Sequence, residues 1–374
     1  MKKIKILYTI PNFDTAGSGK ALLNIALGLN KELFEPHILC LHSKGEFFKT
    51  IQNSGIPVHV FDYIPKERPI FKMLINCFSV SKKLKKINPD IIHSFHYGSN
   101  YTEAISAKMA NIKWVFTKKN MSWGGSSSNS WKLRSFLANK IAVQNTDMIQ
   151  QFYPKSKKIS LIPRGVNVQN FSYSISNNQI RNEMKTSLDK RIIICVANFV
   201  PVKGIELLIN AFEKLQDKNP EWVVWLVGDN NNEYGQMVTQ LVKQKELQNS
   251  IFFSGKKMNV VDYLNQAEIF VLPTLEKGEG TPVAILEAMS NGKVVIGSSV
   301  PGIKDQLKTF PDHLFEAGNV IDLEKKLALF MNNSKDENNK IGLAFKNLAL
   351  AEFTIEKEIE NHEKLYHSLL KNGK

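Results

Sequence analysis

The chain has 374 residues, 43% of them hydrophobic and 10% aromatic, which suits two folded domains and excludes a disordered or low-complexity protein. Cys40, Cys77 and Cys195 lie far apart, which excludes a disulfide scaffold or a zinc ribbon and predicts a reducing, cytoplasmic setting. The formal net charge is +14, and it is uneven: residues 1–170 carry 25 basic and 9 acidic side chains, the remainder 24 and 26. Either the composition is simply rich in lysine, or the first half meets something anionic: a phosphorylated substrate, a lipid headgroup or a nucleic acid. The chain has no RNA-recognition signature, zinc-finger spacing or basic stripe interleaved with aromatics, so the expected partners do not include nucleic acid. No apolar run approaches the ~18 residues of a membrane span. The apolar start is cut by Lys5 and Pro11, too short for a secretory leader and better read as a strand.

In chain order, residues 3–10 (KIKILYTI) form a predicted buried strand, and 17–29 have helical spacing. Strands follow at 37–41 and 58–61. Residues 71–86 read as a helix with a basic end (SKKLKK). The Asn88-Pro89 turn introduces a strand at 90–93, then a helix at 101–109 and strands at 114–117, 140–143 and 158–162. Residues 124–130 (GGSSSNS) read as a loop, and 172–187 as a polar linker. The alternation then restarts. Strands are predicted at 191–197, 221–227, 251–253, 268–272 and 294–296, helices at 205–214, 236–246 and 283–290, and a helical tail over 323–370. Strands alternating with helices imply parallel sheets, hence an α/β chain of two successive doubly wound units.

Three segments carry candidate chemistry. The first, 273–289 (PTLEKGEGTPVAILEAM), leaves a strand, crosses a glycine-rich loop and enters a helix. Thr281 is a suitable N-cap and Pro282 suits the first turn. The backbone N–H groups around 282–285 then form an anion site. Glu279 and Glu287 flank it; carboxylates repel phosphate but accept hydrogen bonds from sugar hydroxyls. The second, 196–204 (VANFVPVKG), puts Lys203 at another strand end, where it can clamp a diphosphate. The third, 14–20 (DTAGSGK), follows the first strand with Gly17, Ser18 and Gly19, small enough for close backbone approach to a ligand or for a tight turn. It is neither a phosphate-binding P-loop, since Ala21 stands where Ser or Thr is required, nor a dinucleotide fingerprint, since Leu22 replaces the third glycine. In HSFH, His93 reads as a core histidine and His96 as the active-site candidate; no acidic or histidine cluster accompanies them to hold a metal.

Together these segments resemble the retaining glycosyltransferases of family 4, over nearly the whole chain. EGTPVAILEAM carries the likeness most specifically, supported by VANFVPVKG, IPRGVNVQNF, LVGDN and PGIKD. The resemblance implies the two-Rossmann GT-B fold, with two domains facing across a cleft. Residues 1–167 would bind the acceptor, 168–354 the nucleotide-sugar, and 355–374 would form a helix returning to the N-terminal domain. It implies a UDP- or GDP-sugar donor, no cofactor and no metal. Glu279, Lys203 and His96 would be catalytic. Glu287 would hold the donor ribose, and Glu279 with Gly280, Thr281, Pro282 and Val283 the donor sugar. Lys203 would meet the diphosphate, Gly17, Ser18 and Gly19 would approach it, and Gly255 and Lys256 would lie beside the base. Where the family often has Gly-Arg, this chain has Ala197 and Asn198; Arg164 could compensate by position. Asn120 stands near a common family histidine, with Lys118 and Lys119 supplying charge. The implied reaction is attack from the face the nucleotide leaves, the departing phosphate taking the acceptor's proton. The implied acceptors are glycans or lipid-linked cell-envelope glycans, as in bacterial capsule or lipopolysaccharide biosynthesis. The basic half would then rest peripherally on the inner face of the plasma membrane. A nucleotide-sugar epimerase on the same fold and a non-catalytic family member are the alternative readings.

Overall fold

The computed structural model describes residues 2–14, 16–123, 127–171, 178–276 and 279–371. The chain divides into two compact units, Met1–Pro163 with Ile355–Lys374, and Arg164–Thr354.

The first unit runs β1 (Ile4–Thr9), α1 (Ala16–Gly28), β2 (Phe34–Cys40), α2 (Phe48–Gln52), β3 (Val58–Val60), α3 (Ile70–Ile87), β4 (Ile91–Ser94), α4 (Thr102–Met109), β5 (Lys113–Lys118), α5 (Ser128–Leu137), β6 (Lys140–Val143), α6 (Thr146–Phe152) and β7 (Ile159–Leu161). All seven strands are parallel, in the order β3-β2-β1-β4-β5-β6-β7. Helices cover both faces, so the central strands β1 and β4 are buried on both sides over Ile6–Thr9 and Ile91–Ser94 rather than alternating. Of the segment read as a loop at 124–130, residues 124–126 lie outside the described residues and 128–130 open α5: Trp131 and Arg134, three apart on one helical face, are both buried and draw Ser128–Ser130 into the helix.

The second unit continues with α7 (Asn178–Glu183), β8 (Arg191–Val196), α8 (Ile205–Gln216), β9 (Trp222–Val227), α9 (Glu233–Gln244), β10 (Ile251–Gly255), α10 (Val261–Gln266), β11 (Ile269–Leu272), α11 (Val283–Ser290), β12 (Val294–Ser298), α12 (Ile303–Gln306), β13 (Leu314–Phe315), α13 (Val320–Met331) and α14 (Lys335–Glu352). Its six parallel strands are ordered β10-β9-β8-β11-β12-β13. Strand β9, WVVWLV, is buried at every position. Both units are therefore Rossmann-like.

The tail expected to be helical over 323–370 comprises three helices: α13, α14 and the closing α15 (Ile355–Lys371). Ser334 and Glu337 form a reciprocal capping box that restarts the chain as α14. At its other end the Phe353 carbonyl accepts from Val166 N–H at 2.9 Å, and Thr354 bridges to Val166, so the IPRGV segment ties off the unit. Helix α15 packs on the first unit through Leu365, Tyr366 and Leu369. The Tyr366 hydroxyl donates to Tyr8 at 3.0 Å and shares a 2.7 Å bond with His93 Nδ1. His93 also bonds Thr117 at 2.8 Å, and burial holds its imidazole well below its usual pKa.

Helix α14 comes very close to the turn that follows α11: a Cβ on Gly342 would stand 1.9 Å from the Gly292 carbonyl oxygen. Exchanging glycine for alanine inside a helix normally stabilises by about 1 kcal/mol. Here the clash with backbone outweighs that gain, at about 1–3 kcal/mol. Gly342→Ala is expected to lower the melting temperature, measured by circular dichroism.

Candidate functional site

In the second unit the strand order reverses between β8 and β11, and an open parallel sheet binds ligands at the carboxyl ends of such strands. The loop after β8 ends in a single 3₁₀ turn, Pro201–Lys203, and the loop after β11 carries Glu279. Two close contacts join them. Leu275 N–H donates to Val202 O at 2.8 Å, and Gly204, at φ +58°, lies so near the Pro273 carbonyl that a Cβ would stand 2.4 Å from its oxygen. Glycine is required there twice over, for the left-handed backbone and for the space. The result brings together residues 76 apart in sequence: Lys203 Nζ donates to Glu279 Oε1. Thr274 Oγ1 donates to the same oxygen at 2.9 Å. The Lys203 and Glu279 side chains are 17% and 18% exposed, sheltered enough for the pair to be strong and open enough for a ligand to reach.

The segment 279–282 is held from below by the PGIKD stretch. Glu279 N–H donates to Pro301 O at 3.0 Å, and Gln306 Nε2 to Pro282 O at 3.0 Å. Gly302, at φ +83°, packs on the Gly280 carbonyl with room for no Cβ, which would stand 2.3 Å from that oxygen. Ser298 Oγ donates to Thr274 O at 2.6 Å and fixes the other end of the loop.

Helix α11 starts at Val283, as expected, but its N-cap is not the expected Thr281. Pro282, in an extended conformation, is the N-cap and Val283 the first helical residue. Thr281 is buried one position too early to cap: the fixed φ of proline holds Pro282 at the entry and its ψ of 113° leaves it outside the helix. The first-turn N–H groups of an α-helix have no partners within it and favour anions. Gly280, Thr281 and Pro282 lead into that turn and Val283 starts it. Glu287 sits one turn beyond Val283 on the same face, half-buried. Beside the loop an open pocket of about 550 Å³ is bounded by Glu276, Pro301, Phe315 and Glu316 among others. Its carboxylates have the wrong sign for phosphate and the right acceptors for hydroxyls.

At the same sheet edge Asn198 is exposed after β8, while the neighbouring Phe199 is buried against Phe253. Gly228, in the LVGDN turn, passes so close to Ala197 that a Cβ would stand 2.1 Å from its oxygen. Gly255 closes β10 at φ +71° with open space where a Cβ would be, and Lys256 beside it is exposed. Arg164 opens the unit, half-buried.

In the first unit, Gly17, Ser18 and Gly19 lie in the opening turn of α1. Gly17 faces open space, whereas a Cβ on Gly19 would stand 2.8 Å from the Phe13 ring, so internal packing demands Gly19. Ser18 Oγ donates to the Tyr97 hydroxyl at 3.1 Å. Lys119 reaches Ser18 Oγ at 3.5 Å and the Phe95 carbonyl, with Nζ 3.7 Å from the Tyr97 ring centroid. Residues from the ends of β1, β4 and β5 thus meet where this sheet's order reverses. Asn120 is engaged internally: its Oδ1 accepts from Lys118 Nζ at 2.7 Å and from Ser122 Oγ at 3.0 Å. Lys118 is buried over Trp131, and desolvation, with Arg134 nearby, pulls its pKa down to about 7. Lys119 therefore brings charge to this edge, and Lys118 is mainly structural. His96 is half-buried; desolvation, helped by Arg134 and Lys119, lowers its imidazole to about 4, so it is neutral at pH 7.

Tyr97 gave no local signal in sequence, and neither did a buried network behind His96. Glu103 accepts from Thr9 and, at 2.6 Å, from Ser94. Arg134 donates to Ser94 at 3.2 Å and to the Asn100 carbonyl. Its members come from β1, β4, α4 and α5, so no short motif contains them. Among the described residues no cluster of three or more His, Cys, Asp or Glu is arranged to hold a metal.

Residues 15–170 match the family model described as Glycosyltransferase Family 4, and residues 176–346 the one described as Glycosyl transferases group 1. This chain belongs to the family 4 glycosyltransferases. Among its relatives is a Campylobacter jejuni N,N'-diacetylbacillosaminyl-diphospho-undecaprenol alpha-1,3-N-acetylgalactosaminyltransferase, 26% identical and covering 87% of this chain and 90% of the relative. Another is the Staphylococcus aureus capsular polysaccharide biosynthesis glycosyltransferase CapH, 26% identical over 84% and 86%. A Rickettsia africae glycosyltransferase shares the fold at TM-score 0.87 and 20% identity, each chain covered completely. Anabaena HepE, solved with UDP and glucose, does so at 0.81 and 17%, over 98% of this chain and 100% of that one.

For this glycosyltransferase the position of Glu279 depends on Gly302. Gly302→Ala adds both left-handed strain and a backbone clash, together costing about 1–3 kcal/mol. Its transferase activity is expected to fall by more than its melting temperature explains, when assayed well below the variant's unfolding range.

Proposed function

We propose that the enzyme transfers a sugar, with retention of anomeric configuration, from a nucleotide diphosphate sugar to a lipid-linked cell-envelope glycan. The observation that carries the donor half is the Lys203–Glu279 pair beside the start of α11. A lysine and a helix N-terminus are the groups needed to stabilise a departing diphosphate. Glu279, held by an ammonium group and the Thr274 hydroxyl, is poorly nucleophilic and well placed to accept from sugar hydroxyls. A covalent glycosyl-enzyme route is therefore not favoured. The acceptor hydroxyl attacks the anomeric carbon from the side the diphosphate leaves. The bond between that carbon and the β-phosphate oxygen breaks, its electrons pass to the oxygen, and that oxygen takes the acceptor's proton. Glu287, one turn into α11, holds the ribose, and Gly255 and Lys256 flank the base. Lys203 and the α11 N-terminus meet the diphosphate charge without a metal. Neutral His96 serves as a hydrogen-bonding group rather than a cation.

The acceptor half is supported by relatives whose names specify diphospho-undecaprenol sugars, among them an Escherichia coli UDP-Gal:alpha-D-GlcNAc-diphosphoundecaprenol alpha-1,3-galactosyltransferase, 26% identical over 73% of this chain and 74% of the relative. The surplus of basic residues in the first half supports work at an anionic membrane surface. No helix among the described residues is long and apolar enough to cross a membrane.

Transfer of radiolabelled sugar from UDP- and GDP-sugars to polyprenyl-diphosphate-linked acceptors tests this reading. Removing a donor aimed at developing charge costs roughly 2.7–4 kcal/mol. Lys203→Ala is expected to reduce turnover at saturating donor by about a hundredfold or more. Normal turnover in that variant would contradict the assignment.

A further inference from the structure

Helix α3 is divided along its length. Its buried face is Met73, Cys77, Val80, Ser81 and Leu84, which pack on the first unit. Opposite, in the first half of the helix, Ile70, Phe71, Leu74, Ile75 and Phe78 are all exposed, Phe71 at 78% and Phe78 at 55%. At 100° per residue these five share one stripe. In the second half the same stripe is continued by Lys82, Lys85 and Lys86. The helix carries five lysines and no acid. Lys66 and Arg68 precede it, with Glu67 between them. Lys82 Nζ lies 4.6 Å from the Phe78 ring centroid, so charge and apolar surface adjoin.

Two large exposed aromatics and three aliphatics in one stripe are more than scattered surface hydrophobics. An apolar face bordered by lysines is the pattern of a helix lying in a bilayer interface. We propose that α3 docks this glycosyltransferase on anionic phospholipid, with Phe71, Phe78 and their aliphatic neighbours entering the headgroup–acyl boundary and the C-terminal lysines held at the anionic headgroups. This deepens the membrane reading above and rests on it for the choice of lipid. Charge decides between this occupant and a second copy of the chain: two α3 faces packed together would bring Lys82, Lys85 and Lys86 of both copies into one interface, whereas phosphatidylglycerol neutralises them.

Co-sedimentation with vesicles of phosphatidylcholine alone, and of an equal mixture with phosphatidylglycerol, tests the proposal. The wild type is expected to bind the mixed vesicles and not the neutral ones. Phe71→Ser with Phe78→Ser should weaken that binding by about tenfold or more through lost apolar burial. Both side chains are exposed, so the double variant should keep its melting temperature. Because Cys40, Cys77 and Cys195 are buried, an environment-sensitive dye attached through Phe71→Cys reports on that position alone and should shift to the blue on mixed vesicles. Unchanged binding by the double serine variant, an unshifted dye, or a dimer that this variant dissolves would overturn the proposal. Thermal stabilisation by a nucleotide-sugar reads the donor site separately. Wild-type protein stabilised by the donor but indifferent to phosphatidylglycerol would overturn the docking face and leave the transferase reading standing.

Discussion

The ion pair between Lys203 and Glu279 organises the carboxyl edge of the second sheet. Neither residue reaches the other by local chain geometry. Gly204 lets the turn after β8 lie against the Pro273 carbonyl, and Gly302 lets the PGIKD stretch lie against Gly280. Each is a backbone-on-backbone contact that no other residue type permits, and the two glycines together set where the lysine and the carboxylate stand. A charge pair at this depth gains more from attraction than a surface pair, because water screens it less. It also leaves Lys203 with further N–H donors for an incoming anion.

The two units use the same construction for different ends. Both are parallel sheets buried on two faces, and both gather polar groups where the strand order reverses. The second unit places one lysine and one carboxylate there. The first places Ser18, Tyr97 and Lys119 there, with a buried network of Glu103, Ser94 and Arg134 behind them. Helix α15, late in sequence, belongs to the first unit because Tyr366 completes a hydrogen-bonded cluster with Tyr8 and His93 in its core.

The strands were legible because a strand buried on both faces is an unbroken apolar run; RIIICV and WVVWLV allow little else. The short motifs were legible because they place glycine, proline and charge at sheet ends. Less legible was everything decided by long-range contact. The serine-rich stretch before Trp131 looks like loop until the burial of Trp131 and Arg134 draws its end into a helix. Asn120 gives no sign in sequence that Lys118 will engage its oxygen. Gly19 gives no sign in sequence that the Phe13 ring will stand where a Cβ would be. The glycines of PGIKD and VPVKG look like turn residues, and only the folded loops reveal that each fits against another backbone.

If Lys203 receives the donor's diphosphate, it should discriminate between ligands that differ only in phosphate. The direct measurement is calorimetric affinity for UDP and for uridine, or GDP and guanosine if that base is the one bound, in the wild type and in Lys203→Ala. The wild type should strongly prefer the diphosphate, and the variant should lose about tenfold or more of that preference while binding the nucleoside as before. An unchanged preference in the variant would contradict that role for Lys203.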